Sequence, residues 1–423
     1  MYFVFTGIAL LLGFARELIV ASKFGLSHEL DVYVAVIGFH LFLGVQVGNS
    51  LESTFVSKVA KLGGAHHISE NFIASFYSLL IINAFMAVFL FVFSKDLIAA
   101  IFPSFSAHQQ DLSIKIMRYL IITIMFANIA GLMRGGLNAM RDFAPGFMSG
   151  SVISLSSIVS VFFFADKIGI DSLIFGFVIG NFLVLIFFAT RFLRHGEMFN
   201  NLNNANLRTY KPKMFYIWGA TAIVLVGECF YQAAAMTERS FASTLKVGTI
   251  SSFFYATALI MVPLSLIVMP LTTVLFPRMA EAFHRNKQEG IRLLKSTGIM
   301  LFLFAIILVL LVSIFADPII ELVYVRGRFS PHDAHRTAAV LSILVFSLPF
   351  LSVTRLFTYS FYSISDYRSP VYGHFIHWLL LLLLGVYFVP ILGARGLAIS
   401  SVLSVVLSTT FMFVLLIRRL RHV

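Results

Sequence analysis

The residues able to do chemistry are few in this chain, and most lie where charge is costly. Arg16 and Glu17 are adjacent in an opening segment that begins MYFVFTGIALLL and carries no earlier charge. An ionised side chain in hydrocarbon costs roughly 2.5 to 3.5 kcal/mol on insertion scales, so such a pair needs a partner or an aqueous path. Further along, Asp31, Gln46, Asn49 and Ser53 fall within about 60° of one line when drawn at about 100° per helical residue, whereas His40 lies opposite and reads as packing. Glu228, Gln232 and Arg239 likewise fall within about 40° of one another. Any one of these reads as glue between helices, worth about 0.6 kcal/mol on average. Two such stripes, on corresponding helices of two halves, favour a hydrated cavity.

Other candidates are weaker. His374 and His377 share a helical face at i, i+3, without a third ligand at metal-site spacing. His332-Asp333-Ala334-His335 reads as a solvated turn in a basic loop. Arg355 lies inside an apolar segment, with an anion, Glu228 or a backbone carbonyl as alternative partners. Cys229 is the single cysteine, which excludes an internal disulfide and any multi-Cys metal site. There is no GxxxxGK[ST], HExxH or GxSxG, and the loops are too short for a catalytic or nucleotide-binding domain. The expectation is a protein that is not an enzyme and holds no cofactor or metal, which leaves membrane potential, Na+ and H+ open as driving forces.

The elements that must position these residues are membrane helices. The chain is 59% hydrophobic and only 12% charged, against about 25% charged in soluble domains. Its apolar segments lack period-2 alternation and are long enough for helices spanning about 30 Å, so an all-α polytopic bundle is expected. Twelve spans are predicted: 2–23, 31–56, 71–94, 112–133, 146–165, 171–193, 214–240, 249–277, 296–316, 337–362, 370–390 and 395–417. Met1 is followed by apolar residues without a basic n-region, so the first helix is expected to be retained.

The polar connector HGEMFNNLNNANLRTYKPK divides the spans into an N-lobe, 1–200 with helices 1–6, and a C-lobe, 201–423 with helices 7–12. Of the 31 Lys and Arg residues, 18 fall on the connector's side and 10 opposite, with Arg16, Arg239 and Arg355 inside spans. The positive-inside rule then puts both termini in the cytoplasm. The net charge of +12 is loop bias: no loop combines a sustained basic run with interleaved aromatics, so nucleic acid is excluded as a partner. Arg278, Arg285, Lys287, Arg292 and Lys295 are expected to meet anionic membrane lipids, at about 1 kcal/mol each.

The halves repeat at an offset of roughly 222 to 225 residues. NAMRDFAPGF and SISDYRSPVY each mark a fifth helix with proline; GIDSLIFG and GARGLAIS each open a sixth helix with glycine; ELIVASKFGLSHELDVYVAV weakly parallels ERSFASTLKVGTISSFFYATAL. Parallel six-helix repeats are an arrangement transporters use, with the substrate site near the midplane between them.

GFARELIVASKFGLSHELDVYVA, TERSFASTLKVGTISSFFYATALIMVPLSLIVMPLTTVLFPRMAEAF, VRGRFSPHDAHRTAAVL and FYSISDYRSPV together resemble the MviN/MurJ family of lipid II flippases, in the multidrug/oligosaccharidyl-lipid/polysaccharide exporter superfamily. The resemblance implies an alternating-access bundle with a cationic central cavity, carrying an undecaprenyl-diphosphate-linked glycan across the bacterial cytoplasmic membrane, with envelope glycan-synthesis enzymes as partners. Arg16 matches the family's GFAR arginine, Asp31 the acid opening the second helix, and Glu238 and Arg239 an Asp-Arg pair. The family's sodium site uses acids on its seventh and eleventh helices; here Glu228 or Glu238 is available on the seventh and none on the eleventh. Leu10, Gly44 and Ala258 stand where the family has arginines, and the chain stops after a twelfth span where lipid II flippases usually carry two more helices for the lipid tail. These departures leave an exopolysaccharide or O-antigen repeat-unit flippase as an alternative, beside a cation-coupled drug exporter and a non-transporting scaffold. With the residues above, Arg16, Asp31, Gln46, Asn49, Glu228, Gln232, Glu238 and Arg239 form the expected substrate path.

Overall fold

The computed structural model describes residues 2–55, 65–140, 142, 144–194, 207–364, 366 and 368–422, and these are nearly all helical. α1 (Tyr2–Phe24) leads to α2 (His28–Phe39), which continues through a π-helical stretch, His40–Val45, into α3 (Gln46–Thr54). Then come α4 (Ala65–Val92), the short α5 (Ser94–Ile101), α6 (Ala107–Ala139), α7 (Ala144–Ile168) and α8 (Asp171–Leu193). α9 (Leu207–Ser243) precedes α10 (Thr249–Pro263), which passes through a second π-helical stretch, Leu264–Val268, into α11 (Met269–Arg285). After α12 (Lys287–Ile314) and the short α13 (Ala316–Tyr324), α14 (Pro331–Leu344) is joined by a 3-10 turn to α15 (Leu348–Ser363), and α16 (Ser369–His422) closes the order.

Each predicted span overlaps these helices, with 31–56, 249–277 and 337–362 each running through a π-helical or 3-10 interruption, and 9 of the helices among the described residues are long and apolar enough to cross a bilayer. α16 holds two spans, because its backbone kinks at Gly393 (φ 59°). Residues 195–206 of the connector, and the basic residues Lys58, Lys61 and Arg141, lie outside the described residues.

The chain folds into two compact units, one of Met1–Lys23 with Val32–Cys229 and one of Phe24–Asp31 with Phe230–Val423. The lobe boundary expected at 200/201 lies outside the described residues; the compact units divide between Cys229 and Phe230, inside the continuous helix α9. Composition sees a polar connector, whereas compactness follows which neighbours each turn of the helix touches. The eight-residue tip of the first hairpin also belongs to the second unit, a feature no composition shift announces.

In the first unit, Leu51, Phe55, Leu132, Leu137, Phe188 and Ile217 are fully buried together. α3 crosses α6 there at Gly48 and Gly131, so closely that a Cβ on Gly131 would lie 2.3 Å from the Gly48 Cα. Small residues at such crossings let backbones approach where no hydrophobic force favours helix over lipid. In the second unit, Phe361, Met412 and Leu416 form one core, and the rings of Tyr255, Tyr324 and Phe329 another, with centroids 4.9, 5.5 and 5.6 Å apart.

The duplication reappears as repeated devices. α6 and α14 both open on a capping box, Ser106 with Gln109 and Ser330 with Asp333. The two π-helical stretches occupy corresponding places, as do the left-handed glycines Gly25 and Gly248, and Gly169 and Gly393. Asp142 and Asp366 each donate a backbone N–H to a carbonyl closing the preceding helix, Leu137 and Phe361, at 2.9 Å. Each carboxylate then accepts from an arginine near the end of the repeat, Arg191 at 2.8 Å and Arg419 at 3.0 Å.

Asp366 also caps α16, accepting from the Ser369 N–H at 3.0 Å, its hydroxyl at 2.6 Å and the Arg368 N–H at 3.1 Å. Burial pushes this carboxyl up, but the Ser369 and Arg368 donors and the Arg419 guanidinium outweigh it and hold the group below its ordinary value of 3.8. A carboxyl lowered in the folded state stabilises above its unfolded pKa and loses that contribution as pH falls through the folded value. Asp366→Ala is therefore expected to cost about 1 kcal/mol at neutral pH, with the gap to wild type closing in acid. Thermal unfolding of the purified protein across that range measures it; equal midpoints at neutral pH would contradict it.

Candidate functional site

Arg16 stands in the second half of α1 with its Nε 3.2 Å from Glu17 Oε1 and its Nη2 on the same oxygen. Glu17 is buried at 8% exposure, and the Arg16 side chain retains 28%. The charge is thus neutralised by its own neighbour in sequence, using two of the guanidinium's five N–H groups.

Asp31 is held by the start of another helix. Its carboxylate accepts from the Gly248 N–H at 2.5 Å, the Ser251 N–H at 2.7 Å and the Ser251 hydroxyl at 2.6 Å, and it is buried at 4% exposure. These donors form the start of α10, whose N-cap Gly248 is left-handed (φ 86°) and supplies no side-chain oxygen. Asp31 therefore supplies the cap from elsewhere in the chain, and its charge meets the positive end of the helix dipole. Close approach holds the tip in place: a Cβ on Gly248 would meet Leu26 Cβ at 2.8 Å, and one on Gly25 (φ 56°) would meet the Arg328 carbonyl oxygen at 2.7 Å. Arg336 adds a bond to the Val247 carbonyl at 2.6 Å, and its charge acts on Asp31.

The stripe drawn from Asp31 to Ser53 does not survive as one face. The π-helical stretch His40–Val45 holds more residues per turn than an α-helix, so a line drawn at about 100° per residue loses register across it. Beyond it Gln46 is half-buried, and exposed Asn49 accepts from Arg134 Nη2 at 2.6 Å. Arg134 Nε also bonds to Glu52, whose other oxygen accepts from Asn138 at 2.6 Å. This cluster of Asn49, Glu52, Arg134 and Asn138 was missed, although Glu52 stands i+3 from Asn49 and could have been found by spacing. His40 packs as expected, with Nδ1 2.9 Å from Thr123 Oγ1 and its ring edge-on to Phe177. At Gly44, where the resemblance implied an arginine, a Cβ would already sit 3.2 Å from the Ile124 Cα and 3.3 Å from the Ala127 Cβ. That position packs closely against α6.

The α9 candidates divide between the units. Glu228, half-buried and engaged in an interaction, is in the first unit, and Gln232, 8% exposed, is in the second. Arg239 is half-buried; its Nη1 lies 3.8 Å from Met236 Sδ, and the Glu238 charge acts on it. Glu238 accepts from the Ser401 hydroxyl and faces a cavity of about 160 Å³ that His377, Thr257, Ser347 and Tyr231 also line. His377 bonds to the Ser404 backbone and leaves its buried Nδ1 without a partner among the described residues. A carboxylate and an imidazole on one small cavity can take up and release a proton. His374 instead packs its ring on Tyr231, 5.7 Å between centroids, and Arg355 is exposed on α15. His332 to His335 are a solvated turn that proves to be the first turn of α14, with Asp333 in its capping box and His335 2.9 Å from Asp317.

Asp31→Ala would strand the donors at the start of α10. Since hydrogen bonds to charged groups are worth about 1.5 to 3 kcal/mol each, the variant is expected to unfold at a clearly lower temperature. Arg16→Ala, which leaves that cap intact, should not. Unchanged melting of Asp31→Ala in detergent would show that the cap carries no weight.

The family described as Lipid II flippase MurJ matches residues 20–423. A probable lipid II flippase MurJ of Bdellovibrio bacteriovorus is 26% identical over 82% of this chain and 67% of its own length. Its counterpart in Borreliella burgdorferi is 23% identical over 97% of this chain and 81% of its own. A solved structure of lipid II flippase MurJ in an inward closed conformation has a TM-score of 0.82 at 20% identity, covering 97% of this chain and 86% of that one. An inward-facing multidrug resistance MATE transporter of the MOP superfamily follows at 0.81 and 14%, covering 98% and 94%. At these identities the structural likeness shows the fold alone. The sequence match is broader in meaning, because it runs through both units: this multi-pass membrane protein belongs to the lipid II flippase MurJ family.

Proposed function

We propose that the chain is a transporter rather than a catalyst, and that it moves a polyprenyl-diphosphate-linked saccharide of the lipid II class across the bacterial cytoplasmic membrane by alternating access. Membership of the family supports the substrate class. A glycan diphosphate is too polar to cross hydrocarbon unaided, since each unpaired polar group costs several kcal/mol there. The observation that carries the reading is Arg16: a guanidinium inside an apolar helix, paired with adjacent Glu17. A diphosphate offers the same bidentate acceptor geometry with more charge, so it competes for those N–H groups. Arg239, beside the Met236 thioether and Glu238, is the second candidate cation.

Both termini and the central connector are placed in the cytoplasm on the positive-inside rule. Ion pairs within each unit join residues that this rule places on the same side. Lys23 with Asp166 at 2.6 Å and Lys115 with Asp171 at 2.7 Å join residues assigned to the outer side, while Arg191 and Arg419 hold Asp142 and Asp366 on the inner side. Envelope glycan-synthesis enzymes would supply the substrate.

Arg16→Ala is expected to abolish complementation in a flippase-depleted cell at unchanged membrane expression, with Arg16→Lys retaining part of it. Normal growth of the Arg16→Ala strain would overturn the reading. A scaffold would show the opposite pattern, tolerating Arg16→Ala and failing on loop substitutions.

A further inference from the structure

A polar cluster in the first unit does nothing for the fold that the glycines beside it do not already do. Glu52 stands in the last turn of α3; one oxygen of its carboxylate accepts from Arg134 Nε and the other from Asn138 Nδ2 at 2.6 Å. Arg134 Nη2 donates to the Asn49 side-chain oxygen at 2.6 Å. Small residues bring the helices together here. Beyond the Gly48–Gly131 crossing, a Cβ on Gly135 would lie 3.0 Å from the Glu52 Cα, and one on Gly146 of α7 would meet the Arg134 Cδ at 3.2 Å. α3 and α6 therefore approach without needing the ions.

What these side chains leave open points to a ligand. Side chains whose task is to join helices would be hidden between them, yet Glu52 and Arg134 each keep 23% exposure, and Asn49 and Ser53, one turn apart on α3, are exposed. No polar atom of Glu52, Arg134 or Asn138 is both buried and unpaired. Both helices belong to spans, His28–Thr54 and Ala107–Ala139, and ionisable groups open to the outside of such helices face water, not lipid. Toward that water the cluster presents the Asn49 amide donors, the Asn138 oxygen, the Ser53 hydroxyl and the guanidinium N–H groups that Glu52 and Asn49 do not occupy.

The charge balance selects what binds. A phosphate cannot simply replace Glu52, because Asn138 as well as Arg134 would lose its acceptor. The carboxylate stays beside the guanidinium and repels a second anion. Neutral groups that both donate and accept are favoured instead, and the hydroxyls and amides of a sugar are such groups.

We propose that Asn49, Glu52, Ser53, Arg134 and Asn138 form a saccharide subsite that binds hydroxyl and amide groups of the head-group sugar, apart from the cations that attract the diphosphate. This assignment rests on the flippase reading for its ligand being a lipid-linked saccharide. Glu52 and Asn138 lie in the last turns of α3 and α6, at the ends that the positive-inside rule gives to the cytoplasm, where a newly made head group is first met.

The test compares the affinities of the full chain, in phosphatidylcholine nanodiscs, for farnesyl diphosphate and for farnesyl diphosphate bearing N-acetylglucosamine. The wild type should prefer the sugar-bearing probe by about tenfold, the size of one or two net hydrogen bonds. Asn49→Ala and Ser53→Ala, at exposed positions, should lower that preference several-fold with an unchanged thermal midpoint. Glu52→Gln, which keeps the shape and removes the charge, should also bind the sugar-free diphosphate more tightly, a change that a merely structural ion pair would not produce. Equal affinity of the wild type for the two probes would overturn the subsite. So would a preference kept by both Asn49→Ala and Glu52→Gln, or an equal loss of both probes with a lowered midpoint, the mark of glue between helices. The outcome is separable from that of the flippase reading. Preference lost in Asn49→Ala with normal growth of the Arg16→Ala strain would sink that reading and keep the subsite; preference untouched with failed complementation by Arg16→Ala would do the reverse.

Discussion

A carboxylate cut off from water must be given hydrogens by the protein, and Asp31 is given three by the start of α10. Neither partner is optional. Without Asp31 the first N–H groups of α10 would face apolar surroundings, and without α10 the carboxylate would be buried and unpaired, which costs more than a lost neutral bond. This one exchange fixes the Phe24–Asp31 tip in the second unit, although both helices leading to it belong to the first. Gly25 and Gly248 follow from it, since the tip can approach only where no Cβ intervenes.

The repeats make the asymmetry meaningful. Capping boxes, π-helical stretches, left-handed glycines and aspartate-arginine pairs occur twice, at places related by the duplication. α10 carries no acidic residue, so the acid that caps it comes from α2. The ionic groups within the spans are not repeated either. One unit holds the Arg16–Glu17 pair and the Glu52–Arg134 cluster, and the other holds Glu238 against Ser401 with Arg239 beside it. Architecture was copied, and the charged residues diverged on top of it, as expected when fold and substrate handling answer to different demands.

Much of the fold was legible because bilayer thickness imposes it. Every predicted span overlaps helix, and Pro145 and Pro370 each fall at the second residue of one, α7 and α16. The candidate site was less legible. A helical wheel assumes an unbroken α-helix, and the stretch from His40 to Val45 is not one, so Asp31 and Asn49 could not be placed on a common face from spacing. The role of Asp31 depends on a partner more than two hundred positions away, which no local pattern encodes. Gly44 looked like a missing cation because the resemblance compares letters, whereas the helix turns that position toward α6. The start of α14 was legible and missed: Ser330 with Asp333 three residues on, and Pro331 between them, is a helix-start signature.

What unites these observations is that ionic groups are kept inside an apolar bundle, where they are costly to hold, so that a charged head group can cross. The most direct test is reconstitution. Proteoliposomes carrying a fluorescent polyprenyl-diphosphate glycan would be exposed to a membrane-impermeant quencher, and the fraction protected in the inner leaflet followed over time. The expected result is loss of the protected fraction in vesicles containing the protein, and its persistence in empty vesicles and with Arg16→Ala. A protected fraction equal in protein-containing and empty vesicles would contradict the claim that this chain moves lipid-linked glycans.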